Sequence, residues 1–241
     1  MKRLEDKVAV VTGGSKGIGR AIALSLAEEG VHCMLAARTA EDLTATAAEI
    51  SGSTGVRAEI AAGDLRTEEG CRALHEATMN TFGRIDILVN CAGGDVGTKG
   101  VTAPNAGKPV GNDAIHISLQ DIQTVLDRNI MTCILCCREV APEMMERKSG
   151  SIVNIGSIAG LNGNITEAIY STAKAAVHEY SRCLAALLRP HNVAVNVIAP
   201  GPTVTPRFLA SRPVEDEMMA KDGTLVRYGW PIEVARAVAF F

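Results

Sequence analysis

Residues 7–19, KVAVVTGGSKGIG, join an apolar run to a cluster of glycines, and that junction decides how the rest of the chain is read. The run from Lys7 to Thr12 shows no polar alternation, as expected of a strand covered by helices on both faces. The glycines follow where such a strand turns into a helix, here one predicted to continue through Ala27. Gly13 permits the tight turn, while Gly17 and Gly19 permit close backbone approach and helix packing. With Ser15, Lys16 and Ile18 they outline a loop that offers unpaired N–H groups and the positive end of a helix dipole to a dinucleotide pyrophosphate. An ordinary glycine turn shares the spacing but does not need the strand and helix around it.

Outward from this junction the same alternation repeats. Further apolar runs occupy Val31 to Ala36, Ala58 to Ala62, Ile85 to Asn90, Ser151 to Ile155 and Val193 to Ala199, with helical patterns between them and no repeat or linker. The pattern predicts an α/β fold, a Rossmann-type doubly wound parallel sheet with helices on both faces. With 241 residues, 47% of them hydrophobic, the chain can bury one sizeable core but hardly two, so a single domain over residues 1–241 is expected. Ligands then belong at the carboxyl ends of the strands.

A net charge of −3 with dispersed lysines and arginines provides neither a basic stripe for nucleic acid nor a polybasic membrane anchor. No apolar run reaches the length of a membrane span, and the one near the N-terminus is too short for a signal peptide. Seven cysteines, an odd number without a secretory signal, point to reduced thiols in the cytoplasm. Cys133, Cys136 and Cys137, in MTCILCC, read as small buried hydrophobes because no histidine or further cysteine stands at ligand spacing, and no metal is expected. Cys91, in a predicted cofactor loop, is read as unreactive.

Farther along, Tyr170 and Lys174 stand four apart in YSTAK, with Ser157 upstream. Reducing a ketone by hydride transfer needs a group that delivers a proton to the developing alkoxide. A tyrosine, with an unperturbed pKa of about 10, does this near neutrality when a permanent cation stands beside it. Lys174, one helical turn on, supplies that cation. Tyr180 lacks a lysine four residues later and reads as packing.

With TGGSKGIG, NCAG at Asn90 to Gly93, Asn129, Ser157, YSTAK and Pro200–Gly201 in this order, nearly the whole chain resembles the short-chain dehydrogenase/reductase family, in particular its 3-oxoacyl-carrier-protein reductase-like members. The resemblance implies a catalytic set of Asn129, Ser157, Tyr170 and Lys174. In it the lysine also binds the nicotinamide ribose, the serine polarises the substrate carbonyl, and the asparagine holds a water linking the lysine to solvent. It further implies cofactor contacts from Asn90, Ala92 and Gly93, from Asp64 at the adenine with Leu65 beside it, and from Pro200, Gly201, Thr203 and Thr205. A homodimer or homotetramer is implied as well, built on Leu119 to Arg147 and Ala168 to Leu188, with Pro142 kinking or breaking the first helix.

Charge bears on which cofactor. The second strand ends in Ala37 and Arg38 rather than in the carboxylate that holds the adenosine ribose hydroxyls in NAD users. Arg38 can pair with a 2′-phosphate, and Lys16 adds a cation where NADP-preferring family members often carry one, so NADP(H) is expected ahead of NAD(H).

Two stretches, Gly94 to Ser118 and Pro202 to Leu225, are expected to wall the pocket of a small-molecule substrate. The first carries Asp95, Lys99, Asn105, Lys108, Asn112, Asp113 and His116 among aliphatic residues, which suits a polar or charged substrate and equally a solvated loop. His116 reads as a loop histidine. The family's usual NNAG is NCAG here, and the chain stops at Phe241 where relatives lead into a final strand and tail, which are expected to be missing. The leading expectation is an NADP(H)-dependent reductase of a carbonyl, or the reverse alcohol oxidation, with Tyr170 as acid/base. Its alternatives are a 3-oxoacyl-carrier-protein reductase, although Pro142 and His191 replace two basic carrier-docking positions, an NAD(P)-dependent polyol or sugar dehydrogenase, and a non-catalytic NADP(H)-binding sensor.

Overall fold

In a computed structural model, which describes residues 4–241, the apolar runs become six strands. They are β1 (Val8–Thr12), β2 (His32–Ala37), β3 (Ala58–Ala62), β4 (Ile87–Asn90), β5 (Gly150–Ile155) and β6 (Val193–Ile198). Their order in the sheet is β3-β2-β1-β4-β5-β6 with all neighbours parallel. The chain builds outward from β1 to β3, crosses back, and builds the other way from β4 to β6. The winding reverses between β1 and β4, and the carboxyl ends of these strands are the switch point at which such sheets bind ligands.

Parallel register sorts the side chains into two cores. Val10, Met34, Leu88 and Ile152 align across four strands on one face, and Val11, Leu35, Val89 and Val153 align on the other. Helices α3 (Glu68–Phe82), α5 (Thr132–Arg147) and α6 (Ala168–Leu188) cover the first face. Helices α1 (Gly17–Glu28), α2 (Ala40–Thr54) and α8 (Pro231–Phe240) cover the second. Ile22, Leu26, Leu35, Leu43 and Leu88 lose all or nearly all contact with water. Each such side chain stabilises the fold by about 2 kcal/mol. Both α2 and α3 stop at a left-handed glycine, Gly55 and Gly83. No described helix is long and apolar enough to cross a membrane.

At the amino end of the sheet the strand expected from Ile85 is assigned from Ile87, although the Asp86 backbone already bonds Val8 and Ser151 on the two neighbouring strands, and the Asp86 side chain is a charge hub. Its Oδ2 accepts the Val8 N–H at 3.0 Å, and its Oδ1 accepts from Arg84 at 2.6 Å and from Arg147 at 3.3 Å. Burial alone would raise the carboxyl pKa, but the bonds from Arg84 and Val8 and the nearby charges outweigh it and hold the group below the usual range.

The region from Leu119 to Arg147 departs from expectation. Pro142 does not break it, since α5 runs on to Arg147. The irregularity lies upstream, where α4 (Leu119–Leu126) passes into α5 through a π-helical turn, Asp127–Met131.

Candidate active site

Three loops meet at the carboxyl end of β1 and β4. Thr12, last in β1 and fully buried, accepts the N–H groups of Cys91 and Ala92, each at 3.0 Å, and donates to the Val89 carbonyl. One hydroxyl thus fixes the NCAG loop against the glycine loop. Gly13, at φ 68°, lies against that loop so closely that a Cβ would sit 3.1 Å from Ala92 Cα, and Gly17, at φ 56°, lies against the Thr205 side chain. A Cβ at Gly19 would run into the Gly13 carbonyl. Helix α1 has no side-chain cap, so its first N–H groups remain available to an anion. Ser15 accepts the Thr46 hydroxyl through its carbonyl, and Ile18 packs on the second core.

Asn129 sits in the π turn, and the extra residue per turn is what lets its side chain face the loop after β4. Its Oδ1 accepts the Gly94 N–H at 2.9 Å, while its Nδ2 donates to the Gly94 carbonyl at 3.1 Å and to the Val125 carbonyl at 2.8 Å. Asn129 is 1% exposed, so these bonds meet the demand of a buried amide for partners. A Cβ at Gly93 would be 2.7 Å from Asn129 Oδ1 and 3.5 Å from Lys174 Nζ, so both residues converge on this glycine.

Lys174 is itself buried, at 5% exposure. A lone ammonium in that setting is costly, and here it donates to the Ile155 carbonyl at 2.7 Å and lies 5.8 Å from the centre of the Tyr170 ring. Ser157 follows β5, and its Oγ accepts the Ala159 N–H at 3.1 Å. Its own N–H donates to His178 Nε2 at 3.3 Å. Burial and then the Lys174 charge depress the His178 pKa, which favours the neutral ring that can accept this bond. Gly156 is required beside it, since a Cβ there would collide with the imidazole. Pro200 accepts the Ile158 N–H at 3.1 Å, bringing the Pro200–Gly201 turn beside the Ser157 loop. Thr203 bonds the Gly201 carbonyl, and Thr205 caps α7 (Pro206–Ser211) at the Phe208 N–H. Lys174 therefore links the set: it meets Asn129 at Gly93, lies beside the Tyr170 ring, and bonds the carbonyl of Ile155, two residues before Ser157.

Other predicted cofactor residues carry structural tasks as well. Asn90 turns its amide to Asn154 Oδ1 at 2.9 Å and Cys137 Sγ at 3.2 Å, and Asn154 in turn donates to Ser181. The Asn90 NH2 group is thus spent within the fold, while its Oδ1 is buried without a partner. Arg66 holds the Asp64 carboxylate through Nε at 2.9 Å and 3.0 Å, and that hydrogen bond brings the Asp64 pKa down to about 2. Leu65 beside it is buried. Lys16 pairs with Asp42 at 2.8 Å, while Arg38 is exposed and forms no ion pair among the described residues.

Some readings of the sequence are met directly. Cys133, Cys136 and Cys137 lie in the first core, and Tyr180 packs against it. Burial pushes the Cys91 thiol up to about 12. His116 pairs with Asp113 on the exposed loop. Two arginines escape the sequence reading. Arg128, beside Asn129, has a buried Nε without a partner, and burial followed by the charges of Arg38 and Arg66 lowers its pKa to about 10. Arg207, on α7, likewise has a buried, unpartnered Nε. The π turn, invisible to a 3.6-residue periodicity, conceals Arg128, and nothing in the local sequence separates Arg207 from the other polar residues of its loop.

Comparison with known proteins agrees with this geometry. The sequence profile described as short chain dehydrogenase matches residues 7–216. The chain is 36% identical to the short-chain reductase protein NovJ of Streptomyces niveus, over 98% of this chain and 87% of that protein. It is 35% identical to a 3-oxoacyl-[acyl-carrier-protein] reductase of Synechocystis, over 100% of this chain and 90% of that one. The crystal structure of L-sorbose reductase from Gluconobacter frateurii complexed with NADPH and L-sorbose superposes with a TM-score of 0.84 at 30% identity, over 100% of this chain and 91% of that chain.

Proposed function

The chain belongs to the short-chain dehydrogenase family and is an oxidoreductase of carbonyl and alcohol groups, and from that premise we propose that it works with NADP(H), Tyr170 being the acid/base. The observation that carries the reading is the placement of the buried Lys174 ammonium 5.8 Å from the Tyr170 ring. A fixed positive charge there stabilises negative charge developing on the phenol oxygen when its proton passes to a substrate alkoxide. Ser157, steadied through its backbone by His178, donates its hydroxyl to the carbonyl oxygen. Asn129 holds Gly94 in place and stands beside Lys174, where a water between the two would return protons to the lysine.

The site fits a dinucleotide because Gly13 and Gly17, both at positive φ, let the turn after β1 close tightly beside its neighbours and because the N-terminus of α1 is uncapped. When bound, the nicotinamide supplies the hydride. Arg38, which has no ion pair among the described residues, and Arg128, whose Nε lacks an acceptor, provide unspent positive charge suited to a 2′-phosphate, whereas Lys16 is already paired. Reduction of 3-oxoacyl thioesters is the second reading, favoured by the 35% identity to a reductase of that name. Assembly into a dimer or tetramer through α5 and α6 belongs to the same proposal, and Met131 and Leu187 stand exposed on or beside those helices.

The test compares parent and Tyr170→Phe in NADPH oxidation against diketones, ketoacids, ketoses and 3-oxoacyl thioesters. The expected result is turnover of one class, lowered about 100- to 10,000-fold in the variant with NADPH binding retained. Equal turnover by both proteins would remove Tyr170 from the mechanism.

A further inference from the structure

Beside the proposed catalytic residues lies a polar cluster that the mechanism leaves unused. Asp95, Lys108 and Asn112 come from the long loop after β4, Glu167 from the residue before α6, and Arg207 and Arg212 from α7 and its end. Glu167 takes Lys108 and Arg212 on the same carboxylate oxygen, the latter at 3.3 Å. Asp95, 4% exposed, receives the Asn112 amide at 2.7 Å. Glu167 is thus engaged by Lys108 and Arg212, whereas Asp95 carries only a neutral amide and attracts Arg207 across space, so that no side-chain acceptor bonds the Arg207 guanidinium. Its Nη2 donates to the backbone carbonyl of Asp95 at 2.5 Å, its Nε is buried and unpartnered, and it forms no ion pair among the described residues.

The position of this guanidinium matters as much as its solitude. It packs on Gly94 so closely that a Cβ there would strike Nη1, and Gly94 is the residue whose N–H and carbonyl Asn129 grips. Arg207 also lies within electrostatic reach of Asp95, Tyr170 and Glu167. Two carboxylates, Asp95 and Glu167, stand against three cations, Lys108, Arg207 and Arg212, which leaves one positive charge unmatched at the edge of the reaction site. An unneutralised, desolvated cation is expensive to keep unless a ligand completes it.

We infer that Arg207 is the anion-recognising residue of the substrate pocket and that the substrate is a carbonyl compound bearing a carboxylate, gripped by the guanidinium while Tyr170 addresses the carbonyl. The planar fork of arginine suits two carboxylate oxygens, and Gly94 keeps its approach open. This deepens the carbonyl-reduction reading and rests on it.

The test presents matched pairs, acetoacetate and 4-oxopentanoate each beside its methyl ester, together with a neutral ketose and a 3-oxoacyl thioester. Parent, Arg207→Gln and Arg207→Lys are compared, NADPH affinity serving as the check that each variant is folded. The parent is expected to favour an acid over its ester by more than about tenfold in kcat/KM, through KM, and Arg207→Gln to shrink that ratio about 10- to 100-fold. Arg207→Lys, which keeps the charge without the fork, should retain part of it. A parent that treats acid and ester alike, or prefers the ketose or thioester, overturns the inference and leaves carbonyl reduction standing. If nothing oxidises NADPH, the reaction itself has been misread. Acid against ester binding to the NADP⁺ complex then decides: a tighter acid whose advantage Arg207→Gln abolishes upholds the anion site, and equal binding refutes it.

Discussion

The two ends of the sheet differ in how they pair buried charge. At the amino end, Asp86 accepts from Val8, Arg84 and Arg147, and Arg147 Nε, though without a hydrogen-bond acceptor, stands 3.1 Å from the Glu143 carboxylate as an ion pair. At the carboxyl end, Arg128 and Arg207 each keep a buried Nε with no acceptor and form no ion pair among the described residues, and Asp95 keeps an unpartnered Oδ1. Paired charge secures a fold, because its counter-charge is supplied by the chain itself. Unpaired buried charge costs stability until a ligand arrives, so it survives where binding is the purpose.

Asp86→Asn puts the first half of this contrast at risk. Arg84 and Arg147 would lose their common counter-charge, and a loss of about 3 kcal/mol in denaturant unfolding is expected, with NADPH affinity unaltered. A variant as stable as the parent would show that the amino end is not the anchor. The pH dependence carries a sign. The folded-state pKa of Asp86 lies below its unfolded value, so its contribution is present above that unfolded value, about 4, and is lost as pH falls through the folded pKa. The acid limb of the stability profile should therefore flatten in Asp86→Asn.

Arg38→Asp and Arg128→Gln probe the other half. Each should weaken NADPH binding about tenfold or more while sparing NADH, measured by cofactor fluorescence. Equal losses for both cofactors would mean that these arginines serve the common part of the dinucleotide and not its phosphate. The smallest effect is expected at the seam between fold and site. Thr12→Val removes the acceptor of the Cys91 and Ala92 N–H groups and should cost about 1 kcal/mol in thermal unfolding.

Much of the fold is legible in the chain. Lys7 to Thr12 and its glycines announce β1 and the turn, because a strand buried on both faces needs continuous apolar residues and a tight turn needs positive φ. The proposed catalytic set stands out because its chemistry demands particular residue types at helical spacing. What escapes depends on contacts between distant segments. Lys16 meets Asp42, Asn90 meets Asn154, and Arg207 reaches the Asp95 carbonyl across 112 positions, none of which local spacing reveals. Pro142 misleads for a different reason: propensity gives the cost of a proline in a helix, while the apolar face of α5, packed on the core, can carry the helix across it.

The turn at Asp127–Met131 has a further consequence for how this chain can change. The Thr132 N–H and hydroxyl both reach the Asp127 carbonyl, five residues back, so the helix here carries one residue more than a regular turn would hold. Such a turn works as a phase shifter: Val125 before it and Cys133 after it both point inward only because of that surplus residue. Losing one residue anywhere between them would restore a regular helix and rotate one half against the other by about 100°. It would carry Asn129 off Gly94 without substituting any residue that remains. In this stretch the number of residues carries meaning of its own, and a reading frame is written into the backbone.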